Sequence, residues 1–544
     1  MKRKIYSILF VFGLLAFSSC ELNYLDNPNA VTESSSDADF LLNNIQINIS
    51  GLYSDIERTG GGLTRMYNQG GSTYETAYQP TAFNNAWNIS YANLLTDIKA
   101  VKALAVTKNL KRHGAIAKTL EAYVLMALVD NFGDVPYTEA LGGSANFAPK
   151  ADPGASIYAA AIDLLKAAKA DFGGTATGTP NDFYYGNNYA KWIKFVNTLQ
   201  LKAQLNRRLV DKAGATTAIG DLVKENNFLA VGDDFTFKYG VSVSDPASQH
   251  PDYAGQATAG GGDYQSTYFM WNMTEAKGFD DPRAKYYFYR QVNVNTTNNS
   301  ELRCISEFKP AHYAEDMVYC LPGTRGYWGR DHLNNEGIPP DGLKRTLYGV
   351  YPAGYRFDEN KPAAAGGTDA ASKGAGIEPI MMASYVDFML AESALMLGTT
   401  GDAKALLSSG ITKSQNFVRS WSLTTSEAAK INAFETTAAF DVLRVKYLKN
   451  VTDAFDAATD NNGKLAIASR EYWLSLYGNG YEAYNLYRRT GNPTMQPGLL
   501  ANVGKYPRSW IYPDAYVNRN KNAAQKADFG VQVFWDTNSA SFVK

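Results

Sequence analysis

Cysteine and histidine, the residues that most often bind metals or act as nucleophiles and bases, are scarce in this sequence. There are three cysteines and four histidines in 544 residues, and the histidines are scattered without metal-ligand spacing. The chain contains no HExxH, GxSxG or Walker A motif and no dinucleotide-binding glycine pattern. These absences argue against zinc, serine-nucleophile and nucleotide-dependent enzymes. EF-hand spacing is absent too, so we predict no cofactor and no metal, with calcium in the acidic loops left open.

An excess of positive charge and a long hydrophobic run are missing as well. The chain has 52 basic and 53 acidic side chains and a net charge of −1 at pH 7, whereas a nucleic-acid-binding protein favours a basic surface. The apolar run at residues 5–17 is shorter than the roughly 20 residues that a transmembrane helix needs. The sequence therefore predicts neither a nucleic-acid partner nor a membrane-spanning segment.

The N-terminus is typical of a bacterial export signal. Three basic residues precede the apolar run, and two serines follow it immediately before Cys20. The small-small-Cys ending resembles a lipobox, in which Cys20 is acylated and becomes the mature N-terminus. Two or three acyl chains, each burying ~0.8 kcal/mol per CH₂, would hold the protein on a membrane. Plain secretion with a free thiol at Cys20 is the alternative.

The other two cysteines, Cys304 and Cys320, form an even pair in a chain predicted to be exported. Oxidising compartments favour disulfides, so we predict a bond between them. Closing a loop of this length contributes roughly 3 kcal/mol when the geometry is unstrained. A metal site is the rival interpretation, although CxxC spacing is absent.

Helical periodicity dominates the rest of the chain. Apolar residues recur at three- and four-residue spacing in several segments, which occur in pairs joined by short glycine-containing turns. The pattern predicts a mostly α fold of tetratricopeptide-like helical hairpins in a single domain. Long aperiodic segments rich in Gly, Asn, Pro and Tyr interrupt it at about residues 57–90, 240–275 and 290–375. We interpret these segments as a large loop-rich lobe.

Several motifs together resemble the SusD/RagB family of outer-membrane nutrient-binding lipoproteins, most closely its second SusD-like branch. They follow the family's order along nearly the whole chain. The motifs are "LDNPNAVTE" after Cys20, "ALVDNFGDVPYTEAL" at 127–141, "FDDPRAKYY" at 279–287, "YVDFMLAESAL" at 385–395, and "GYEAYNLYRRTGNP" ahead of "YPRSWIYP".

The physical interpretation of these motifs is structural. Gly133 is expected to end a helix, and Asp281 before Pro282 suits a helix N-cap. We expect Glu392 to be hydrogen-bonded within a helix pair, with Arg488 and Arg489 as candidate counter-charges.

The resemblance implies a function that the motifs do not show by themselves. Members of the family are lipid-anchored on the cell surface at the outer membrane, capture oligosaccharides, or peptides in some branches, and are not enzymes. They cap a SusC-like TonB-dependent transporter, which imports the ligand. The implied layout is a signal peptide over 1–19, a lipid-anchored tether over 20–36 and a nutrient-binding domain over 37–544.

The loops contain the residue types that bind sugars, namely aromatic rings beside planar polar side chains. Sugars offer ring faces rich in C–H groups and hydroxyl edges, and glycines next to these aromatics let the backbone approach a ligand. We expect the rings to be exposed and to stack on an oligosaccharide, with an arginine and an aspartate as polar partners. The predicted ligand-binding residues are Tyr67, Tyr74, Tyr78, Trp87, Tyr264, Trp328, Arg330 and Asp331.

Two other functions stay open at this point. A glycoside hydrolase needs only two carboxyl groups roughly 5–9.5 Å apart, and Asp331 with Glu336 is the first pair to consider. A structural or adhesive surface protein would use the same aromatic rings internally. Binding predicts an open aromatic cleft in the loop lobe instead.

Acylation of Cys20 is directly testable. Mass spectrometry of the protein purified from its native host should find a mature chain that begins at Cys20 and carries lipid on that residue. An unmodified thiol at Cys20 would contradict the predicted anchor.

Overall fold

The long periodic segments of the sequence fold as helices. The computed structural model describes residues 37–256, 264–335, 344–366 and 371–543. The predicted signal peptide and tether, and with them Cys20, lie outside the described residues.

The first half of the chain contains the N-terminal helix and the first helical hairpins. Residues 89–94 form a single π-helical segment between two of the helices. The α-helices are α1 (Ala38–Leu63), α2 (Tyr74–Ala77), α3 (Asn84–Asn88), α4 (Leu95–Thr107), α5 (Lys111–Phe132), α6 (Gly154–Gly173), α7 (Tyr189–Arg207), α8 (Lys212–Glu225), α9 (Pro251–Gln256) and α10 (Thr267–Thr274).

The second half returns to long helices after the loop-rich lobe. In both halves, connecting segments contain short 3₁₀ turns, at Pro80–Phe83, Gly143–Ala145 and Arg303–Ser306. The α-helices are α11 (Ala284–Tyr287), α12 (Ala383–Leu397), α13 (Ala403–Ser422), α14 (Ala428–Phe434), α15 (Thr437–Ala457), α16 (Asn461–Ser475), α17 (Gly480–Thr490) and α18 (Asp514–Val517).

Consecutive long helices pack against each other as hairpins. The packed pairs are α5 with α6, α7 with α8, α12 with α13, and α15 with α16. Glycines end several of these helices in the left-handed or positive-φ conformation, as Gly133 does after α5 and Gly398 after α12. The predicted mostly α fold with tetratricopeptide-like hairpins is confirmed, and so is the helix end at Gly133.

Two short antiparallel sheets join the loop-rich lobe to the helical body. Strand β1 (Phe235–Lys238) pairs with β4 (Ile377–Met381), and β2 (Phe288–Tyr289) pairs with β3 (Leu347–Tyr348). Every residue of β4 is buried. The sheets therefore hold distant parts of the long loops against one core that also contains the helices.

Helices α1 and α17 cross with their backbones in direct contact. A Cβ atom added to Gly480 would lie 1.9 Å from the Gly61 nitrogen and 2.1 Å from the Glu57 carbonyl oxygen. At Gly60, an added Cβ would lie 2.2 Å from the Gly480 carbonyl oxygen. Only glycine fits on both sides of this crossing, because backbone atoms cannot move aside as a flexible side chain can.

A buried aspartate on α5 connects four parts of the chain. Burial raises the pKa of the Asp130 carboxyl, but Lys202 and the tyrosine hydroxyls outweigh it and hold that pKa below its ordinary value. Its two oxygens accept hydrogen bonds, at 2.5–3.1 Å, from Tyr158 on α6, Lys202 on α7, Tyr481 and Asn485 on α17, and Trp535 near the C-terminus.

Within the described residues, no helix is both long enough and apolar enough to cross a bilayer.

The close crossing of α1 and α17 predicts that Gly480→Ala destabilises the fold. Overpacking against fixed backbone should lower the free energy of unfolding by about 1–3 kcal/mol, as measured by urea denaturation. Gly220→Ala is the matched control, because nothing lies within 4 Å of its added Cβ and it stands inside α8. That substitution should stabilise the protein by about 0.5–1 kcal/mol. Equal effects of the two variants would contradict the crossing.

The second prediction concerns the buried carboxylate. Asp130→Asn leaves Lys202 and several donors without their anionic partner and should lower the free energy of unfolding by about 3–5 kcal/mol at pH 7. Because the folded pKa of Asp130 lies below its unfolded value near 4, this contribution is present above about pH 4 and is lost as the pH falls.

Denaturation at pH 7 and at pH 3 should therefore show a smaller difference between wild type and Asp130→Asn at the lower pH. The exposed Asp163→Asn is the control and should change stability by less than about 0.5 kcal/mol. A pH-independent difference would contradict the role of the carboxylate.

Candidate functional site

The three loops that the sequence predicted to bind a ligand meet at one place. Asn68 N donates to the Tyr264 carbonyl (2.9 Å), and short β-bridges join Tyr67 to Gln265 and Ser266 to Arg330. We call residues 65–79, 264–267 and 328–335 the loop junction.

Gln496 connects the segments of the loop junction through buried hydrogen bonds. Its buried side-chain amide donates to Asp331 Oδ1 (2.6 Å) and to the Val318 carbonyl (3.0 Å). Its amide oxygen accepts from His332 N (3.3 Å), and its backbone carbonyl accepts from Arg65 Nε (2.9 Å). Gln496 could not be predicted from the sequence, because its partners lie more than 150 positions away and no local pattern marks it.

The expectation that the aromatic rings of the first loop are exposed is wrong. Tyr67, Tyr74, Tyr78 and Trp87 are all buried in the main core. A Cβ on Gly61 would lie 2.6 Å from the Tyr67 ring, so glycine lets the ring pack directly on helix α1. The glycines near these rings therefore serve close internal packing and do not open a space for a ligand.

The buried rings have identifiable structural partners. The Tyr67 hydroxyl donates to Glu57 (2.6 Å), and its ring lies 5.7 Å from that of Tyr477. Trp87 lies apart from the loop junction, with its ring 4.5 Å from that of Tyr516 and 5.3 Å from that of Phe132. The structure thus assigns these rings to the core, where aromatic pairs contribute stability beyond their buried area.

Tyr264 is the only predicted ligand residue whose side chain is not fully buried. The buried Trp328 meets its ring edge-on, with 5.8 Å between centroids. The guanidinium of Arg330 lies 4.2 Å from the Tyr264 ring centroid, and that of Arg345 lies 5.4 Å away. Cation–π contacts with two arginines fix the orientation of this ring.

Partly exposed amide side chains surround Tyr264. Asn68 Nδ2 donates to the Asn334 carbonyl (3.3 Å), while Asn68 Oδ1 has no hydrogen-bond partner among the described residues. Gln69 and Asn335 are also accessible at this surface. The ring can meet the C–H face of a sugar, and the accessible amides of Gln69 and Asn335 can meet its hydroxyl groups.

Asp331 has a structural role in this arrangement. Its Oδ2 accepts from Cys320 N (3.0 Å) and its Oδ1 from Gln496 Nε2 (2.6 Å). Burial raises the pKa of Asp331 to about 6, although these hydrogen bonds act in the opposite direction. Glu336, its partner in the hydrolase hypothesis, lies outside the described residues.

A disulfide closes a loop at the edge of the junction. Cys304 and Cys320 are bonded, with an S–S distance of 2.00 Å, and we call residues 304–320 the disulfide loop. Lys309 Nζ stabilises this loop by donating to the carbonyls of Ala314 (3.0 Å) and Glu315 (2.6 Å). Phe308, near the tip of the loop, is 97% exposed.

A second concave site lies beside the loop junction and was not predicted. It is a groove of about 520 Å³ between residues 278–290 and helix α15, and we call it the lateral groove. The motif "FDDPRAKYY", which was predicted to be purely structural, contributes to one wall. Helix α11 begins at Ala284, later than the motif predicted. Asp281 nevertheless accepts a hydrogen bond from Arg283 N (2.9 Å), as an N-cap side chain does, and it also binds the Arg283 guanidinium (2.6 Å).

No group of three or more His, Cys, Asp or Glu side chains within the described ranges is arranged to hold a metal ion.

Comparisons with known proteins agree with this architecture. Residues 28–308 match a family model described as "Starch-binding associating with outer membrane", and residues 360–529 match one described as "Susd and RagB outer membrane lipoprotein". A comparison with curated proteins finds no match.

Solved structures share the fold over nearly the whole chain. A chitin-binding protein is 19% identical, with 92% of this chain and 100% of that chain covered and a TM-score of 0.67. A chitin-binding SusD homologue from Flavobacterium johnsoniae is 20% identical (92% and 98% covered, TM-score 0.63). A SusD homologue from Bacteroides fragilis is 18% identical (93% and 100% covered, TM-score 0.66). Since a single family model covers more than half of its length, the chain belongs to the SusD/RagB family of outer-membrane lipoproteins.

Proposed function

We propose that this chain is a cell-surface, lipid-anchored glycan-binding protein that delivers oligosaccharides to a SusC-like TonB-dependent transporter. The observation that carries the ligand class is the half-buried ring of Tyr264, oriented by Trp328 and Arg330 where three loops meet. Cys20 provides the lipid anchor, and residues 20–36 connect it to the folded body. The chain binds its ligand without cleaving it.

The chemistry of the loop junction suits a saccharide. A pyranose ring presents C–H groups on its faces, which pack on an aromatic ring, and hydroxyls at its edge. The Tyr264 ring supplies the flat surface, and the accessible side-chain amides of Gln69 and Asn335 at the loop junction supply polar groups. Only a few such polar groups are needed to orient a ligand on an aromatic surface.

The solved relatives favour a glycan over the peptide alternative. Two of the structures that share this fold are described as chitin-binding, and chitin is a neutral polysaccharide. A peptide-binding protein of the same uptake system is the second candidate. It predicts affinity for extended peptides and none for oligosaccharides.

The hydrolase alternative is weakened by the state of Asp331. Both oxygens of this buried carboxyl are occupied by Cys320 N and Gln496 Nε2, so the group is not free to act on a substrate. Incubation of the pure protein with candidate glycans should release no new reducing ends. A purely structural role remains the other alternative, and it predicts no soluble ligand at all.

The proposed site predicts that Tyr264→Ala weakens glycan binding. We would express the chain without residues 1–19 and with Cys20→Ala, find a bound oligosaccharide on a glycan array that includes chitohexaose, and measure its affinity by isothermal titration. Loss of the stacking surface should raise Kd at least about tenfold, which corresponds to about 1.4 kcal/mol.

Tyr189→Ala is the matched control for this experiment. Tyr189 is also a partly buried tyrosine under a guanidinium, with Arg112 lying 4.3 Å from its ring centroid, but it stands on helix α7 away from the loop junction. This variant should bind the glycan as the wild type does. Equal affinities of all three proteins would refute the assignment of Tyr264, and the absence of any bound glycan would refute the ligand class.

A further inference from the structure

The lateral groove has the size and composition of a second ligand site. Its volume of about 520 Å³ lies within the range of small-molecule sites. One wall contains the segment from Gly278 to Arg290 and the other contains the middle of helix α15. The side chains that give the groove its character are Phe279, Lys285, Tyr327, Leu443, Lys446 and Tyr447.

The acidic side chains that line the groove are already neutralised by arginines. Asp280 binds Arg325 (2.8 Å), and Asp281 binds Arg283 (2.6 Å). Among the remaining charged groups of the wall, Glu435 pairs with Arg419 (3.5 Å) and Arg290 pairs with Asp358 (2.6 Å). These pairs leave the groove without an uncompensated negative charge.

Two lysines in the groove have no direct ion-pair partner among the described residues. Lys285 Nζ donates to the neutral amide oxygen of Asn360 (2.6 Å) and lies 4.9 Å from the Phe434 ring centroid. No carboxylate of a described residue lies within ion-pair distance of Lys285 or of the exposed Lys446. Burial, with a contribution from nearby Arg290, lowers the pKa of Lys285, although the carboxylates of Asp358, Asp280 and Glu435 oppose the shift. The nearby carboxylates are held by arginines, so a ligand can supply the direct ion pairs that Lys285 and Lys446 do not make.

The uncharged part of the wall favours a sugar as the carrier of those anions. Phe279 is half-buried and meets the Tyr447 ring edge-on at 5.3 Å, and Leu443 is 47% exposed. Ring and aliphatic surface suit the C–H face of a pyranose, and the amide of Asn450 lies in the same wall. None of the lining residues belongs to a strand, so the groove does not offer the strand edge on which extended peptides bind.

We propose that the lateral groove binds a carboxylate-bearing saccharide, of the hexuronic acid class, whose carboxylates pair with Lys285 and Lys446. The inference rests on the proposed function, because it assigns a second glycan site to the same uptake protein. The two sites are adjacent: Tyr327 lines the groove and the next residue, Trp328, supports Tyr264 at the loop junction.

The experiment compares charged and neutral ligands on the mature chain with Cys20→Ala. Isothermal titration would use a galacturonate hexamer, the same hexamer as its methyl ester, and hexaglutamate as a carboxylate-bearing peptide. We expect the free-acid hexamer to bind at least tenfold more tightly than either of the other probes. Raising the salt concentration from 50 to 300 mM should weaken its binding severalfold, because a charge pair contributes.

Three lysine variants locate the binding site. Lys446→Gln should weaken binding of the galacturonate hexamer about five- to tenfold, and Lys285→Gln should do the same. Lys449→Gln is the control, because it removes the same charge from helix α15 outside the groove, where Lys449 pairs with Asp453 (2.5 Å). Lys446 is exposed, so its variant tests the proposal even if Lys285→Gln reduces folding.

Each contrary result has a distinct meaning. Equal binding by the three lysine variants overturns the proposal, as does equal binding of the acid and its ester, or tighter binding of hexaglutamate. A protein that binds a neutral glycan through Tyr264 but not the galacturonate hexamer refutes this inference alone. A protein that binds neither refutes the proposed function as well.

Discussion

The buried carboxylate of Asp130 is the constraint on which the helical body depends. A single charged group at the centre of the molecule accepts hydrogen bonds from α6, α7, α17 and the C-terminal segment. A buried charge is tolerated only when its lone pairs are used, so these elements have one arrangement in which all of them are satisfied. The sheets and the loop-rich lobe then pack against helices whose relative positions are already fixed.

The helical body also holds the loop junction in place. Gln496 follows α17 by a few residues and bonds to the loops around Arg65, Val318 and Asp331. The position of α17 is fixed in turn by its crossing with α1, where Gly480 admits no side chain. The loops at the junction are long, but hydrogen bonds to Gln496 fix their positions. A ligand-binding surface on irregular structure requires such support.

Local patterns predicted the helical body well and the site poorly, for a physical reason. Local spacing and paired motifs predicted the helix periodicity, the helix end at Gly133 and the Glu392–Arg489 contact (2.7 Å). The second predicted counter-charge, Arg488, donates to the Arg508 carbonyl instead, and Arg208 is the other arginine that binds Glu392. Burial of Tyr67 depends on partners such as Gly478, which is 411 positions away. A tyrosine beside glycines looks the same in the sequence whether it faces a ligand or a helix.

The disulfide loop combines packed and exposed positions. Val318 lies in the main core and accepts from Gln496, whereas residues 306–308 and 314–316 are exposed. Its ends are joined covalently by Cys304 and Cys320, and Lys309 satisfies its inner carbonyls. Residues at its tip, such as Phe308, contribute almost nothing to burial. Substitutions at these exposed positions should therefore change the free energy of unfolding by less than about 0.5 kcal/mol. The cross-link thus lets this segment keep its shape while the identity of its outermost side chains is free to vary.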